Sequence, residues 1–180
     1  DGEEYNPITQ RMWWTRFSPQ SNIFTRDWTC FNPSPYRAMD STAFGEMPDL
    51  CHINPRVSTG ILNHAKWMIE EIGFDGFRYD FVKGFAAATI QSIQEYRYLR
   101  NGKSFSPYGV AEYWDGAGNT INWVNEANRN NTNPVDAFDF PLRELLKNMC
   151  DQYGFSLRSL VGGESILQKQ NYSAVTFVEN

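Results

Sequence analysis

Strand-like and helix-like segments alternate along the chain from residue 54 onward, and this alternation most constrains the fold. The strand-like segments are rich in aromatic and β-branched residues and are GFDGFRYDFV (73–82), VAEYW (110–114), AFDF (137–140) and AVTFV (174–178). Amphipathic helical patterns occupy residues 54–72, 86–99 and 119–130 and the segment that begins at 141. Strands separated by helices favour parallel βαβ units, so we predict an α/β barrel or a doubly wound sheet.

The first helix has clear boundary signals, whereas the chain before it has none. Asn54 suits the N-cap, Pro55 suits the first helical position, and Gly73 is placed to end the helix. Residues 1–55 are rich in Trp, Pro, Asn and Ser, and their prolines interrupt any periodic pattern. We therefore expect irregular, loop-like structure there.

Composition excludes several classes of protein. With 180 residues, 41% of them hydrophobic and 21% charged, the chain can bury a substantial core. A formal net charge of -5 and the lack of any Lys or Arg run argue against a nucleic-acid partner. No stretch approaches the ~18 apolar residues of a membrane span, so no membrane contact is expected. Nothing in the composition implies a protein partner.

Three carboxylates stand near the C-terminal ends of predicted strands, where α/β barrels carry their chemistry: Asp80, Glu112 and Asp139. Glycoside hydrolysis uses two carboxyl groups, which lie about 5–5.5 Å apart in retaining enzymes. Arg78 lies two positions before Asp80 and points to the same face of a strand, where its guanidinium keeps an aspartate ionised. Aromatic residues follow Glu112, and poor solvation favours the protonated state that an acid requires.

The same residues also admit a structural interpretation. An Arg-x-Asp pair on a strand commonly forms a structural ion pair, and an isolated Glu on a strand commonly faces solvent. Asp139 is best interpreted as a hydrogen-bonded carboxylate at a strand end. Spacing alone does not choose between catalysis and structure.

Several segments resemble, in order and spacing, the motifs of α-amylases of glycoside hydrolase family 13. They are GFDGFRYDFVKGF (73–85), VAEYWD (110–115), AFDFPL (137–142) and VTFVEN (175–180). MDSTAFGEMPDLCH (39–52) is similar to the end of the protruding loop domain, domain B, in archaeal and plant-type members. The resemblance implies a partial (β/α)8 TIM barrel with about strands four to seven at 54–180. It assigns residues 1–53 to the C-terminal part of domain B.

The resemblance also implies an activity, the endo-acting hydrolysis of α-1,4-glucosidic bonds in starch, glycogen or malto-oligosaccharides with retention of configuration. In that reaction Asp80 is the nucleophile that forms a covalent glucosyl intermediate, and Glu112 is the acid that then acts as base. Arg78 holds Asp80 in place. Lys83 matches a lysine that contacts glucose units on the leaving-group side, and Trp114 matches the aromatic residue beside the acid.

The family resemblance further implies one calcium ion between domain B and the barrel, bound by hard oxygen ligands. The matching positions are the carboxylates of Asp40 and Asp49 and the main-chain carbonyls of Thr42 and Gly84. Some archaeal relatives add a zinc ion, but Asn32 and Arg37 stand where they have histidines. We therefore expect no zinc site.

The remaining cysteines and histidines are expected to be structural. Cys30, Cys51 and Cys150 lie far apart without a C-x-x-C pair, so at most one disulfide is expected. Cys51 is expected to be a small buried side chain, and His52 and His64 are expected to have structural roles.

The match also predicts that this is a piece of a larger, secreted enzyme. The final motif of the family continues with His-Asp, which carries a third catalytic aspartate, whereas this sequence ends at Asn180. Two alternatives remain open. One is a catalytically inactive starch-binding fragment, and the other is a related family 13 glucosidase or transglycosylase.

Overall fold

The structure is a computed structural model that describes residues 2–21, 24–36 and 45–178. The predicted calcium ligands Asp40 and Thr42 lie outside the described residues, as does Arg37.

The N-terminal region contains regular structure, so the expectation of irregular chain over 1–55 is wrong in part. An antiparallel hairpin forms from β1 (Gly2–Asn6) and β2 (Arg11–Arg16), and a short antiparallel pair forms from β3 (Phe31–Asn32) and β4 (Asp49–Leu50). The Asn6 side chain accepts a hydrogen bond from the Ile8 N–H at 2.9 Å and donates one to the Pro33 carbonyl at 3.0 Å. Because the prolines fall between the strands, they do not interrupt these pairings.

Helix α1 (Pro55–Trp67) has the boundaries that its sequence predicts. The Asn54 side chain caps it by accepting a hydrogen bond from the Arg56 N–H at 2.9 Å. A π-helical turn at Met68–Ile72 continues the helix, and Gly73 ends it with a left-handed φ of 91°.

A four-stranded parallel sheet forms the centre of the chain. The elements after α1 are β5 (Gly76–Tyr79), α2 (Ala87–Glu95), β6 (Tyr98–Arg100), β7 (Lys103–Phe105), β8 (Tyr108–Ala111), α3 (Ala117–Ala127), β9 (Asp136–Phe138), α4 (Phe140–Asp151), α5 (Ile166–Lys169) and β10 (Ala174–Val175). The sheet has the order β10-β9-β8-β5, and all three of its pairings are parallel. This mixed α/β architecture is compatible with part of a TIM barrel.

The prediction of a helix over 86–99 is wrong at its C-terminal end, because a hairpin follows α2. Strands β6 and β7 pair through the two-residue turn Asn101-Gly102, and both turn residues have positive φ. Asn-Gly is the preferred sequence of such turns, so the signal was present in the chain.

The sheet buries one face against helices. Strand residues alternate between its two faces, and Tyr79, Ala111 and Ala137 belong to a core that includes side chains of α1, α2, α3 and α5. Arg78 and Phe138 lie on the opposite face, where the guanidinium is 6.0 Å from the ring centroid. The helices therefore fix the strands from one side, and the other side presents charged and aromatic groups. Within the described residues, no helix is long and apolar enough to cross a membrane.

Candidate active site

The register of β5 and β8 brings Asp80 and Glu112 to the same edge of the sheet. Tyr79 is paired with Ala111 at the C-terminal ends of these neighbouring strands, and each carboxylate is the next residue. The Glu112 N–H continues the ladder by donating to the Tyr79 carbonyl at 2.8 Å. The site thus lies where parallel α/β barrels place their chemistry.

One guanidinium group connects the two carboxylates. Arg78 Nη1 lies 2.7 Å from Asp80 Oδ1, and Nη2 lies 2.8 Å from Glu112 Oε1. The contact with Asp80 agrees with the predicted geometry of residues two apart on a strand. The contact with Glu112 was not predicted, because it depends on pairing between residues that are far apart in sequence. Binding to one planar guanidinium keeps the two carboxylates near each other, and glycoside hydrolysis uses such a pair of carboxyl groups.

The turn after β5 also holds Glu112. Phe81 adopts a left-handed conformation with φ 44° and ψ 54°, which is uncommon for a residue with a side chain. Its N–H donates to Glu112 Oε2 at 3.0 Å. Both oxygens of Glu112 therefore have partners, one in β5 and one in the turn that follows β5.

The two carboxylates have different environments. The side chain of Asp80 is 72% exposed, whereas that of Glu112 is 13% exposed. The two aromatic residues that follow Glu112 have ring contacts of their own. Tyr113 lies against Trp123, and Trp114 is stacked on Phe140. Different environments for two neighbouring carboxylates are typical of sites in which they have different roles.

Trp114 presents an open aromatic face near this edge. It is 63% exposed, and its ring is stacked on Phe140 with centroids 4.8 Å apart. It lines a cavity of about 310 Å³ that also involves Arg143 and Glu144. A rigid exposed indole beside polar groups can stack on the apolar face of a sugar.

Lys83 lies close to the same edge and forms an ion pair with Asp115, with Nζ 2.7 Å from Oδ2. Hydrogen bonds from Lys83, which has the largest effect, and from Gly116 and Asn119 lower the pKa of Asp115 to about 2. Sequence reasoning did not select Asp115, because nothing local indicates that a residue 32 positions from Lys83 contacts it.

Asp139 is a structural carboxylate, as predicted. It is completely buried and serves as the N-cap of α4, accepting from the Leu142 N–H at 3.0 Å. Its other oxygen accepts from the Leu167 N–H in α5 at 2.7 Å. It ties two helices to the end of β9.

Two of the four predicted calcium ligands line the same cavity. Asp49 and Gly84 line one cavity of about 220 Å³, and Asn32 Nδ2 donates to Asp49 Oδ2 at 2.8 Å. A carboxylate and a backbone carbonyl fit the oxygen preference of calcium. Across residues 2–21, 24–36 and 45–178, no three His, Cys, Asp or Glu side chains form a metal-binding group. Cys51 is buried, as expected.

No protein-family model matches the chain. Comparison with known proteins nevertheless finds proteins of similar sequence. It is 30% identical over 134 residues to an "Alpha-amylase" of Bacillus licheniformis, covering 73% of this chain and 25% of that protein. It is 30% identical over 129 residues to a "Glucan 1,4-alpha-maltohexaosidase" of Bacillus sp. (strain 707), covering 71% and 24%. It is 26% identical over 154 residues to "Alpha-amylase 3, chloroplastic" of Arabidopsis thaliana, covering 76% and 16%.

The chain therefore spans a quarter or less of the length of these relatives. The similarities support a family relationship with α-amylases.

Proposed function

We propose that this chain carries the nucleophile and the acid/base of an endo-acting, retaining α-amylase of glycoside hydrolase family 13, acting on α-1,4-linked glucans. The observation that supports this most is the single Arg78 guanidinium that binds both Asp80 and Glu112 at the ends of neighbouring parallel strands. The relatives named α-amylases support the same reaction class.

In the first step, Glu112 gives its proton to the glycosidic oxygen while the Asp80 carboxylate attacks the anomeric carbon. The bond to the leaving sugar breaks, and a bond from carbon to the Asp80 oxygen forms. In the second step, Glu112 takes a proton from water, which attacks the same carbon and releases Asp80. Two inversions leave the configuration retained.

The environment of Asp80 suits a nucleophile, and that of Glu112 fixes the position of the acid/base. Asp80 is well solvated and bound to a guanidinium, which stabilises the carboxylate needed for attack. Glu112 is shielded and held at both oxygens, so its position relative to the bond is fixed before substrate arrives. Arg78 acts on both, orienting the nucleophile and the acid together.

Lys83 and Trp114 are proposed to contact the glucan on the leaving-group side. Trp114 offers its exposed face for stacking, and Lys83 offers ammonium N–H donors for sugar hydroxyls. The combination of an apolar surface with a few placed polar groups is typical of ligand sites.

We also propose that calcium binds between Asp49 and Gly84, with Asp40 and Thr42 as further ligands. The cavity shared by Asp49 and Gly84 supports this proposal. When bound, the ion would link the β4 strand to the turn that follows Asp80, and so stabilise the edge that carries the nucleophile.

A limit digest of starch tests the reaction. The proposal predicts a ladder of malto-oligosaccharides whose new reducing ends are first released as the α-anomer, measured by chromatography and by NMR. Glucose as the sole product would favour a related glucosidase, and β-anomers would contradict the retaining mechanism. A dominant maltohexaose peak would resemble the activity in the name of the Bacillus sp. relative. Binding of starch without hydrolysis would favour the inactive fragment.

A further inference from the structure

We propose that Asp115 is a positioning residue that holds the Lys83 ammonium toward the sugar on the leaving-group side. This inference rests on the proposed function, because it concerns how one of its substrate contacts is oriented. Asp115 itself is not expected to touch the reacting atoms.

The ion pair is a further connection between the segments that follow β5 and β8. Lys83 lies in the 3₁₀ turn after Asp80, and Asp115 follows Glu112 by three residues. The 2.7 Å contact between Nζ and Oδ2 runs alongside the pairing of Arg78 with Glu112. The loop that follows Asp80 is therefore joined to the loop that follows Glu112 at Lys83 and Asp115, in addition to the contacts made by Glu112 itself.

Asp115 is itself held rigidly, which is what a positioning group requires. Its Oδ1 accepts from the Gly116 N–H at 2.7 Å and from Asn119 Nδ2 at 3.1 Å. Gly116 caps α3 and Asn119 lies in its first turn, so the carboxylate is anchored to a packed helix. Oδ2 is left to face Lys83.

The surroundings of Lys83 restrict the ammonium further. Its Nζ lies 5.2 Å from the centroid of the Tyr113 ring, within the range of a cation–π contact. Tyr113 packs in turn against Trp123 of α3. A flexible lysine stem loses much side-chain entropy when it is fixed. Fixing it before the glucan binds removes that cost from binding and leaves further N–H donors for sugar hydroxyls.

The pair also lies beside the proposed aromatic contact. Asp115 and Gly116 line the same cavity as Trp114, together with Arg143. The carboxylate that binds Lys83 thus lies in the same cavity as the proposed stacking surface.

The test measures binding of maltoheptaose by calorimetry in a Glu112→Gln background, in which turnover is blocked. Asp115→Asn keeps an oxygen for Gly116 and Asn119 and removes the acceptor that faces Lys83. We expect Lys83→Ala to weaken binding about tenfold and Asp115→Asn about three- to tenfold, because each removes or releases one charged hydrogen bond. Asp115→Glu should restore binding to within about threefold of the parent, since it returns a carboxylate to Lys83.

The decisive comparison is a double-mutant cycle. If Asp115 acts through Lys83, then Asp115→Asn adds less than about twofold once Lys83 is alanine. The matched control is Asp151→Asn, which breaks the exposed Lys147–Asp151 pair of 2.9 Å on α4 and should leave binding unchanged.

Three results would overturn the inference, and they are distinguishable. If Asp115→Asn weakens binding equally with and without Lys83, Asp115 acts by another route. If Lys83→Ala weakens binding and Asp115→Asn does not, the positioning role is wrong while the proposed function stands. If folded protein binds no maltoheptaose in any variant, the proposed function fails and this inference with it.

Discussion

At the scale of single residues, Arg78 connects the sequence to the proposed chemistry. Its position two residues before Asp80 is visible in the sequence, because strand side chains alternate with a period of two. Its contact with Glu112 was not predictable in this way, since it requires the register of β5 against β8. The sequence pattern therefore predicts the contact of Arg78 with Asp80, whereas the contact with Glu112 depends on the pairing of the two strands.

Asp139 provides a residue-scale prediction about stability. Replacing it with alanine removes the cap of α4 and leaves the Leu142 and Leu167 N–H groups without their carboxylate acceptor. We expect the free energy of unfolding to be about 2–4 kcal/mol lower than in the parent, because a helix cap and a buried acceptor are lost. Urea denaturation followed by circular dichroism measures this. A stability within about 0.5 kcal/mol of the parent would show that Asp139 does not hold these helices.

At the scale of elements, local sequence signals predict the limits of a helix when residues at its ends determine where it begins and stops. Asn54, Pro55 and Gly73 predict the limits of α1 because caps and helix stops act within a few residues. The hairpin β6–β7 differs from the helix predicted over 86–99 because the helical pattern does not end at Glu95, although Asn101-Gly102 marks the turn. The N-terminal hairpin differs from the irregular chain expected there. The prolines of this region lie between strands, where they do not disrupt the pairing.

Gly76 provides the corresponding prediction for the sheet. A Cβ atom at this position would lie 2.3 Å from the Tyr108 backbone carbonyl oxygen, at the start of the β5–β8 pairing. Because backbone cannot move aside as a flexible side chain does, Gly76→Ala should lower stability by about 1–3 kcal/mol in urea denaturation.

The matched control for this change is Gly118→Ala in α3, where an added Cβ meets nothing within 4 Å. It should leave stability equal or raise it by up to about 1 kcal/mol, because alanine is the better helix former. Equal effects of the two substitutions would contradict the close approach of β5 to β8.

At the scale of the whole molecule, the sequence predicts the class of architecture but not whether the sheet closes into a barrel. Alternating elements indicated parallel strands, and the four strands pair as expected. Whether a sheet closes into a barrel depends on long-range shear and tilt, which no local pattern encodes. The division at residues 53 and 54 and the (β/α)8 barrel thus remain predictions.

Calcium provides a test at this scale, because the proposed ligands come from distant parts of the chain. Calcium should raise the melting temperature of the parent, since a ligand at one hundred times its dissociation constant adds about 2.7 kcal/mol to stability. Asp49→Asn should remove most of this increase, whereas Asp151→Asn should keep it. Differential scanning calorimetry with calcium and with a chelator makes the measurement. An equal response of both variants would contradict the site at Asp49 and Gly84.

The most direct test of the central claim is starch hydrolysis by this chain, measured beside Asp80→Asn, Glu112→Gln and Asp151→Asn with calcium present. The account predicts that the parent and Asp151→Asn release reducing ends at similar rates. It predicts losses of at least about a hundredfold in the other two variants, since each lacks a group that bonds to or protonates the substrate. Activity near that of the parent in either variant would contradict the assigned roles, and no hydrolysis by the folded parent would favour the catalytically inactive starch-binding fragment.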